Sequence, residues 1–457
     1  MSKLIPMIML PIITRLYPNT EYIGLNDLNQ TFISFAHAIV LCGMYDAMFR
    51  VFFDYENISG HRRVCSTALL FVCSTSTIAA IICLIYREII ASMYFGSAEY
   101  SLLAIITTIG FFLSATNQIV SAPTRIQNKR KVFLITNTLA PLISYAICIP
   151  MILHGNYLYA MPIGTIVSAI VIEVSFGIMN KSYFDWKGFD IGILKNLLKV
   201  GLPLMPNFIV YWLYNSADKI MISQMLGNSY TGVYSVASKI GHISNLIYIA
   251  FSGGWLYFAY STMKDDDQVQ LKSDIFEYLG AIAFGATILI VGISKSAFTI
   301  LFPSEYLGGY LVMPYLFISP LLLMLYQVIA NQFSIVKKTY LNLLALSLGA
   351  ILNIIFNFLL IPKLGIEGAS IATVTGYIVS VTLCIFILRK MKLIHVNKNV
   401  YINVAFIISY FIIWRLALHK HIALSIITSV IVFIVFTTRY RKYVCLLLNK
   451  LKISKMK

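Results

Sequence analysis

Residues 341–361 read LNLLALSLGAILNIIFNFLLI and contain no charged side chain. After the short connection Pro362-Lys-Leu-Gly365, a second apolar run covers 366–388. A helix needs about 20 apolar residues to cross the hydrocarbon of a bilayer. Every backbone polar group in that region must be hydrogen-bonded within the protein, and strands of a membrane barrel would show short alternating segments instead. The stretch therefore predicts two membrane-spanning α-helices joined by a tight turn.

The composition of the whole chain agrees with this stretch. Of 457 residues, 59% are apolar and 12% are charged, whereas soluble domains carry about 25% charged residues. A water-soluble fold and a disordered chain are both excluded. The seven cysteines lie in or beside apolar runs without paired spacing, so we expect packing roles for them rather than disulfides or a metal site. We also expect no cofactor.

Similar apolar windows recur along the chain and predict about fourteen spanning helices, given the length that each one needs. The predicted spans are 1–14, 31–53, 65–86, 101–120, 132–153, 157–179, 200–226, 231–261, 275–302, 309–333, 339–361, 366–388, 400–418 and 421–438.

Basic residues collect on one side of these spans. If the N-terminus is cytoplasmic, the outer loops hold only four of the 35 Lys and Arg residues, namely Arg15, Arg87, Lys363 and Lys420. Because Lys and Arg gather in short cytoplasmic loops, we expect both termini in the cytoplasm. The net charge of +17 then reports membrane topology and gives no reason to expect nucleic-acid binding.

The chain contains an internal repeat. Tyr22-Ile-Gly-Leu is similar to Tyr230-Thr-Gly-Val, and a shift that superimposes Gly24 on Gly232 places the following four spans of the first half on spans of the second. Six helices in each half give both halves the same orientation, a common transporter plan with the substrate site between two lobes. The predicted all-α integral membrane protein comprises an N-terminal lobe (1–180), an amphipathic linker (181–199), a C-terminal lobe (200–390), two additional helices (400–438) and a basic cytoplasmic tail (439–457).

The repeat also makes an unusual prediction about the first helix. The seventh span begins near Val200, and the repeat maps this residue to a position before Met1. We therefore expect the first helix to be truncated by about two turns of 3.6 residues, through either a start site placed too late or a shortened gene.

Three stretches resemble a known family. They are Ser2-Lys-Leu-Ile-Pro to Arg15 with Glu21-Tyr-Ile-Gly24, Gly201-Leu-Pro-Leu-Met-Pro to Lys239, and Ile361-Pro-Lys-Leu-Gly-Ile-Glu-Gly-Ala-Ser-Ile-Ala-Thr373. They are similar to the first, the seventh and eighth, and the twelfth helices of bacterial exporters of polysaccharide repeat units, the Wzx-type O-antigen and capsule flippases. These exporters share a superfamily with multidrug exporters and the lipid II flippase. Many of them carry arginine where this chain has Lys219.

The resemblance implies a flippase for undecaprenyl-pyrophosphate-linked oligosaccharide in the bacterial inner membrane. Membrane lipids, and a polysaccharide polymerase with its chain-length machinery, are the implied partners. The apolar pattern alone predicts no more than a two-lobed transporter. Since the sequence contains no GxxxxGK[ST] motif, we expect no nucleotide hydrolysis. The resemblance to exporters implies a protein without enzymatic activity.

Charged residues inside the spans are the candidate functional residues, because an Arg, Lys or Asp at a helix centre costs about 2.5–3.5 kcal/mol on insertion scales. Two lysines against one aspartate near the seventh and eighth spans would leave a net positive cavity for an anionic headgroup. The candidate substrate-binding residues are Arg15, Arg50, Lys219 and Lys239. The candidate ion-coupling carboxylates are Asp46, Glu173 and Asp218.

Simpler roles for the same residues remain open. Asp218 could pair with Lys239 and merely fix helix packing, and Arg15 could extend to the membrane interface. Arg50 could do the same, whereas in the functional alternative, a basic track through the first lobe, it would face Asp46, one helical turn earlier.

Two other functions also remain open. A drug or cation antiporter of the same fold would need a cavity dominated by acidic residues, whereas the predicted spans hold more basic than acidic ones. An integral-membrane O-antigen polymerase or glycosyltransferase would need a sizeable outer loop, and the longest outer connection, 87–100, is short.

Overall fold

The computed structural model describes residues 4–440, and within that range the chain is helical, without a β-strand. Residues 1–3 of the predicted first span and residues 441–457 of the predicted basic tail lie outside the described residues. The first eight helices are α1 (Leu4–Leu16), α2 (Glu21–Leu41), α3 (Met44–Phe52), α4 (Ile58–Ile85), α5 (Arg87–Phe95), α6 (Ser101–Ile126), α7 (Arg130–Leu153) and α8 (Tyr157–Met179).

The remaining helices begin at the predicted linker. They are α9 (Ile191–Gly201), α10 (Met205–Leu226), α11 (Asn228–Gly241), α12 (Asn245–Ser261), α13 (Gln268–Leu301), α14 (Gly309–Ile335), α15 (Tyr340–Leu364), α16 (Ile366–Lys390), α17 (Lys398–Ile413) and α18 (Ile422–Thr438). A π-helical turn, Trp414–Leu418, extends α17.

The predicted spans coincide with these helices, so the all-helical membrane fold is confirmed. Among the described residues, ten helices are long and apolar enough to cross a bilayer, and the bent pair α2 and α3 makes eleven. The shorter apolar helices α1 and α18 occupy the first and last predicted spans. The eighth predicted span is filled by α11 and α12, which a 3₁₀ turn at His242–Ser244 separates.

One predicted span boundary is wrong, and the predicted linker is only partly helical. The second span was expected to start at residue 31, but α2 already begins at Glu21, and it buries the polar residues Asn26, Asp27 and Asn29. The helix then bends by 44° before α3, where Cys42 and Gly43 adopt positive φ angles.

The second difference concerns the linker. Within the predicted amphipathic linker (181–199), the helix starts only at Ile191, where the Asp190 side chain accepts hydrogen bonds from the backbone N–H groups of Gly192 and Ile193. An acidic N-cap of this kind satisfies amides that the first helical turn leaves unpaired. A short 3₁₀ turn, Leu202–Leu204, then leads directly into α10.

The internal repeat is evident in the helices themselves. Ser101, the first residue of α6, corresponds to Gly309, the first residue of α14. Equivalent residues also contact each other across α2 and α11, since Ser235 Oγ donates to Asp27 Oδ2 at a separation of 208 residues.

Glycines allow α2 and α11 to approach each other closely. A Cβ atom on Gly24 would lie 2.1 Å from the Asn228 carbonyl oxygen, and one on Gly232 would lie 1.9 Å from that of Thr20. Both distances are far below van der Waals contact, so no larger residue fits without moving the backbone.

The described part of the chain forms two compact units. The first unit contains the described residues up to Val236 together with Asn357–Ile366. The second unit contains Ala237–Phe356 and the described residues from Glu367 onward. The predicted lobes, 1–180 and 200–390, stay a prediction.

Candidate functional site

A buried ion pair links α2 to α10 in the first unit. Lys219 Nζ lies 2.7 Å from Asp27 Oδ2, and the two side chains are only 16% and 6% exposed. Ser235 of α11 donates a further hydrogen bond of 2.8 Å to the same carboxylate oxygen. Separating a buried pair by removing one partner typically costs about 3–5 kcal/mol, because the other charge is left uncompensated.

The neighbouring carboxylate, Asp218, is also buried. The Tyr234 hydroxyl donates to Asp218 Oδ2, and the backbone N–H of Lys219 donates to Asp218 Oδ1 over 2.8 Å. Lys219 therefore lies between two carboxylates. The sequence analysis counted Asp218 against two lysines and omitted Asp27. The prediction of excess positive charge around Lys219 is therefore wrong.

The other predicted cations have different surroundings. Arg50 pairs with Asp54, one turn later along α3, and is 65% exposed; the suggested pairing with Asp46 is wrong. Arg15 is exposed at the end of α1, where its Nη1 donates to the carbonyl oxygen of Pro11 over 2.9 Å. Lys239 belongs to the second unit and is exposed on α11. The structure thus separates exposed cations from the buried Lys219.

Glu173 on α8 is half-buried beside Thr116 of α6. Its Oε2 atom is buried and has no hydrogen-bond partner within residues 4–440. Burial of a carboxylate oxygen without such a partner is costly, which favours uptake of a proton or a cation there. Among the three candidate coupling carboxylates, Glu173 is the one with this property.

Asp46 contributes to a polar pocket in the first unit. The pocket has a volume of about 340 Å³ and lies among α2, α3, α6 and α10. Its lining includes four aromatic residues, Tyr45, Phe208, Tyr211 and Trp212. It also includes the polar residues Ser34, His37, Asp46, Gln118, Asn215 and Ser216. Sequence reasoning missed this pocket, although His37, Gln118 and Asn215 are unusual in apolar helices.

The second unit contains a larger, mainly apolar groove of about 1040 Å³. It follows α16 from Ile371 to Lys390 and is closed by side chains of α13, α14 and α17. Arg389 and Lys390 line one end, and Arg415 lines the other. The groove therefore extends along most of a membrane-spanning helix and carries basic residues at both ends.

Arg415 at this groove is held by an acidic partner. Its Nε atom lies 2.6 Å from Glu367 Oε1, at the start of α16. His419 follows in the connection to α18; burial lowers its pKa, and the positive charges of Arg415 and Lys420 lower it further. His419 is therefore neutral at pH 7, and the charge at this end belongs to Arg415, Glu367 and the neighbouring lysines.

Comparison with known proteins identifies the family to which this chain belongs. Residues 12–308 match the model of a family described as "Polysaccharide biosynthesis protein". The chain belongs to this family. Two uncharacterized membrane proteins of Methanocaldococcus jannaschii are 26% and 23% identical over 245 and 227 residues. These matches cover 51% and 48% of this chain, and the chain spans about half the length of each relative, 48% and 52%.

Three solved structures share the fold of this family member. The lipid II flippase MurJ, in an inward closed conformation, has a TM-score of 0.68 at 18% identity, covering 96% of this chain and 100% of its own. An inward-facing MATE family multidrug resistance transporter scores 0.65 at 15% identity, and a MOP superfamily transporter from Pyrococcus furiosus scores 0.51 at 15%. Both cover 86% of this chain and 94% of their own. This member of the polysaccharide biosynthesis family thus has the same fold as these three membrane proteins.

Proposed function

We propose that this protein is a flippase that moves an oligosaccharide, linked through pyrophosphate to undecaprenol, across the bacterial inner membrane. The oligosaccharide would be an O-antigen or capsule repeat unit. Membership of a polysaccharide biosynthesis family and a fold shared with the lipid II flippase support this assignment. A sugar pyrophosphate cannot cross hydrocarbon unaided, because burying charged and polar groups without partners is prohibitive. We assign no catalytic step to the protein.

The apolar groove of the second unit carries this proposal. A lipid-linked substrate brings a long hydrocarbon chain, and an apolar channel along α16 offers that chain a continuous surface. Arg389 and Lys390 provide positive charge at one end of the path, whereas Arg415 at the other end is paired with Glu367. A drug antiporter needs no surface of this length, so the groove favours a lipid substrate over a soluble one.

The pyrophosphate would be bound by Arg15, Arg50, Lys219 and Lys239, of which Arg15, Arg50 and Lys239 are exposed and Lys219 is largely buried. The exposed positions of Arg15 and Lys239 favour direct contact with an anion. Lys219 is held by Asp27 and Arg50 by Asp54, so each would have to leave a carboxylate before binding phosphate. Rocking of two lobes would then alternate access to the headgroup.

The proposed function also implies an orientation in the membrane and a set of partners. The basic loops favour a multi-pass orientation with both termini in the cytoplasm. The flipped product would be used by a polysaccharide polymerase with its chain-length machinery, and these proteins are the proposed partners together with membrane lipids.

Filling the groove tests the proposal. A Cβ atom on Gly280, which lines the groove, would meet only Leu325 Cδ1 at 3.9 Å, so Gly280→Leu adds bulk to the groove without a backbone clash. In proteoliposomes, we expect Gly280→Leu to slow flipping of a fluorescent polyprenyl-pyrophosphate trisaccharide about tenfold, equivalent to about 1.4 kcal/mol in the barrier.

Gly253→Leu is the matched control, because a Cβ atom on Gly253 meets nothing within 4 Å. It should flip the lipid at the wild-type rate. If wild-type protein instead exchanges a cationic dye and leaves the lipid in place, the antiporter alternative replaces the flippase.

A further inference from the structure

The polar pocket of the first unit is lined by aromatic and uncharged polar side chains together with Asp46. It therefore differs from the basic residues that are proposed to bind the pyrophosphate. Its volume of about 340 Å³ lies within the usual range of small-molecule sites, about 300–1,000 Å³. Such sites combine aromatic walls with a few polar groups that fix orientation. This pocket has both, so its hydrogen-bonding pattern and its charge define the ligand that it fits.

The hydrogen-bond donors and acceptors of the pocket follow from contacts around His37. Gln118 Oε1 lies 2.5 Å from His37 Nε2, and Ser114 Oγ lies 2.9 Å from His37 Nδ1. Since an amide oxygen only accepts, Nε2 carries a proton and donates it to Gln118, while Nδ1 shares a hydrogen bond with the serine hydroxyl. The NH₂ group of Gln118 remains as a donor for a ligand.

Asn215 supplies the complementary group. Its Nδ2 donates to the backbone carbonyl of Tyr211 over 2.7 Å. The side-chain oxygen of Asn215 consequently remains as an acceptor. Together with the Asp46 carboxylate, the pocket offers acceptors as well as the Gln118 donor, which suits a group that both donates and accepts, such as a hydroxyl.

Four residues, Tyr45, Phe208, Tyr211 and Trp212, form the aromatic wall of the pocket. Of these, Trp212 is held in position before a ligand arrives. Trp212 packs on Phe35 at a ring-centroid distance of 4.6 Å. Its Nε1–H donates to the Thr31 carbonyl oxygen at 3.1 Å and to Ser34 Oγ at 3.2 Å. A side chain fixed in this way offers its ring at little further cost in conformational entropy.

The charge of the pocket is nearly balanced. Asp46 is its ionisable acid, and Arg125 lies close enough to act on it electrostatically. The Arg125 guanidinium donates to the Tyr45 hydroxyl and lies 5.5 Å from the centre of that ring. A pyrophosphate would meet the Asp46 carboxylate in the lining, and an organic cation would find that carboxylate already opposed by Arg125, which lies outside the lining.

Resting on the proposed function, we infer that this pocket binds a neutral sugar residue of the lipid-linked oligosaccharide, separately from the cations that bind its pyrophosphate. Hydroxyls of the sugar pair with Gln118, Asn215 and Asp46, while its C–H face lies on the aromatic wall.

Substitution of Asn215 tests the inference, because this side chain is exposed and its loss leaves the core intact. We would reconstitute Asn215→Leu and follow two fluorescent lipids, a polyprenyl pyrophosphate carrying a trisaccharide of neutral hexoses and the same lipid without sugar. Transport of the sugar-bearing lipid should fall about tenfold, as expected for one lost hydrogen bond. Transport of the sugar-free lipid should not change.

Gln327→Leu is the control for removing an amide from a membrane helix. Gln327 on α14 is half-buried, and its Nε2 donates a hydrogen bond of 2.7 Å to the Tyr248 hydroxyl. Its substitution should leave the transport of both lipids unchanged. Equal slowing of both lipids by Asn215→Leu, or undiminished transport of the sugar-bearing one, overturns the inference.

Direct binding separates this inference from the proposed function. Calorimetric titration of the free trisaccharide into detergent-solubilised protein should show weaker binding to Asn215→Leu than to wild type. Wild-type protein that binds the trisaccharide but moves neither lipid would reject the flippase assignment and keep the sugar site. Wild-type protein that binds tetraphenylphosphonium and not the trisaccharide would reject the sugar site.

Discussion

Lys219 shows that a charged residue inside a membrane helix can have a partner that a hydropathy profile does not predict, here Asp27. The residue was recognisable from the sequence, because a lysine within an apolar run demands an explanation. Its partner was not, because Asn26, Asp27, Asn29 and Gln30 lower the local hydropathy and moved the predicted start of the helix past them. The pair makes Lys219 first a structural residue, and any role in phosphate binding requires it to leave Asp27.

A double-mutant cycle tests this structural role. Lys219→Met should destabilise the protein by about 3–5 kcal/mol, because Asp27 is left buried without its counter-charge. Adding Asp27→Asn should restore most of the loss. Thermal unfolding in detergent, followed by circular dichroism, measures both effects.

Asp54→Asn provides the comparison for that cycle. It breaks the exposed pair with Arg50, and exposed pairs contribute about 0–1 kcal/mol. If Lys219→Met proves as mild as Asp54→Asn, Asp27 and Lys219 do not depend on each other in the membrane-embedded state.

Among the helices, α2 and α11 show what an internal repeat can and cannot predict. The match of Gly24 with Gly232 correctly paired the two halves. It did not predict that these glycines lie side by side, because sequence similarity reports equivalence and not contact. The close approach also brings Ser235 to Asp27, so the packing of two helices and the buried ion pair depend on the same small residues.

Substitution of Gly232 by alanine should therefore disrupt this helix pair. The added Cβ atom would lie 1.9 Å from the Thr20 carbonyl oxygen, and the backbone would have to separate. We expect a lower unfolding temperature and less folded protein in size-exclusion chromatography.

The control is Gly177→Ala in α8, where a Cβ atom meets nothing within 4 Å. Because alanine favours helix over glycine by about 0.5–1 kcal/mol, this variant should match or exceed wild-type stability. A Gly232→Ala protein as stable as Gly177→Ala would show that α2 and α11 are not in close contact.

Helix prediction succeeded where apolar runs are continuous and failed where polar residues are buried. The runs that became α14, α15 and α16 were located within a few residues, since nothing interrupts their hydropathy. The break at Cys42 and Gly43 and the early start of α2 depend on tertiary contacts, which hydropathy does not report. The groove and the polar pocket likewise depend on which helices pack together, and no single segment encodes them.

At the scale of the whole molecule, an amphiphilic substrate needs surfaces of opposite character. The first unit supplies a polar pocket with nearly balanced charge, and the second supplies an apolar groove with basic ends. In the proposed function, each surface would bind a different part of the lipid-linked oligosaccharide. A transporter for a small soluble compound would require only the first of these surfaces.

Directional transport needs a source of energy, and we propose that Glu173 is the carboxylate that couples an ion gradient to it. Movement of one elementary charge across the membrane supplies about 2.3 kcal/mol per 100 mV. A half-buried carboxylate with an unpaired oxygen can take up a proton or a metal cation in one conformation and release it in another. Glu173→Gln keeps the shape of this side chain and removes its ability to change charge.

We therefore expect Glu173→Gln to bind the lipid-linked substrate like wild type but to lose the acceleration of flipping that an imposed proton or sodium gradient produces. Flipping in proteoliposomes, with and without each gradient, measures this difference. Glu56→Gln, at an exposed position before α4, should retain the full response. If the gradient accelerates Glu173→Gln as strongly as Glu56→Gln, coupling must run through Asp218 or Asp46, and the unpaired oxygen of Glu173 has no part in the transport cycle.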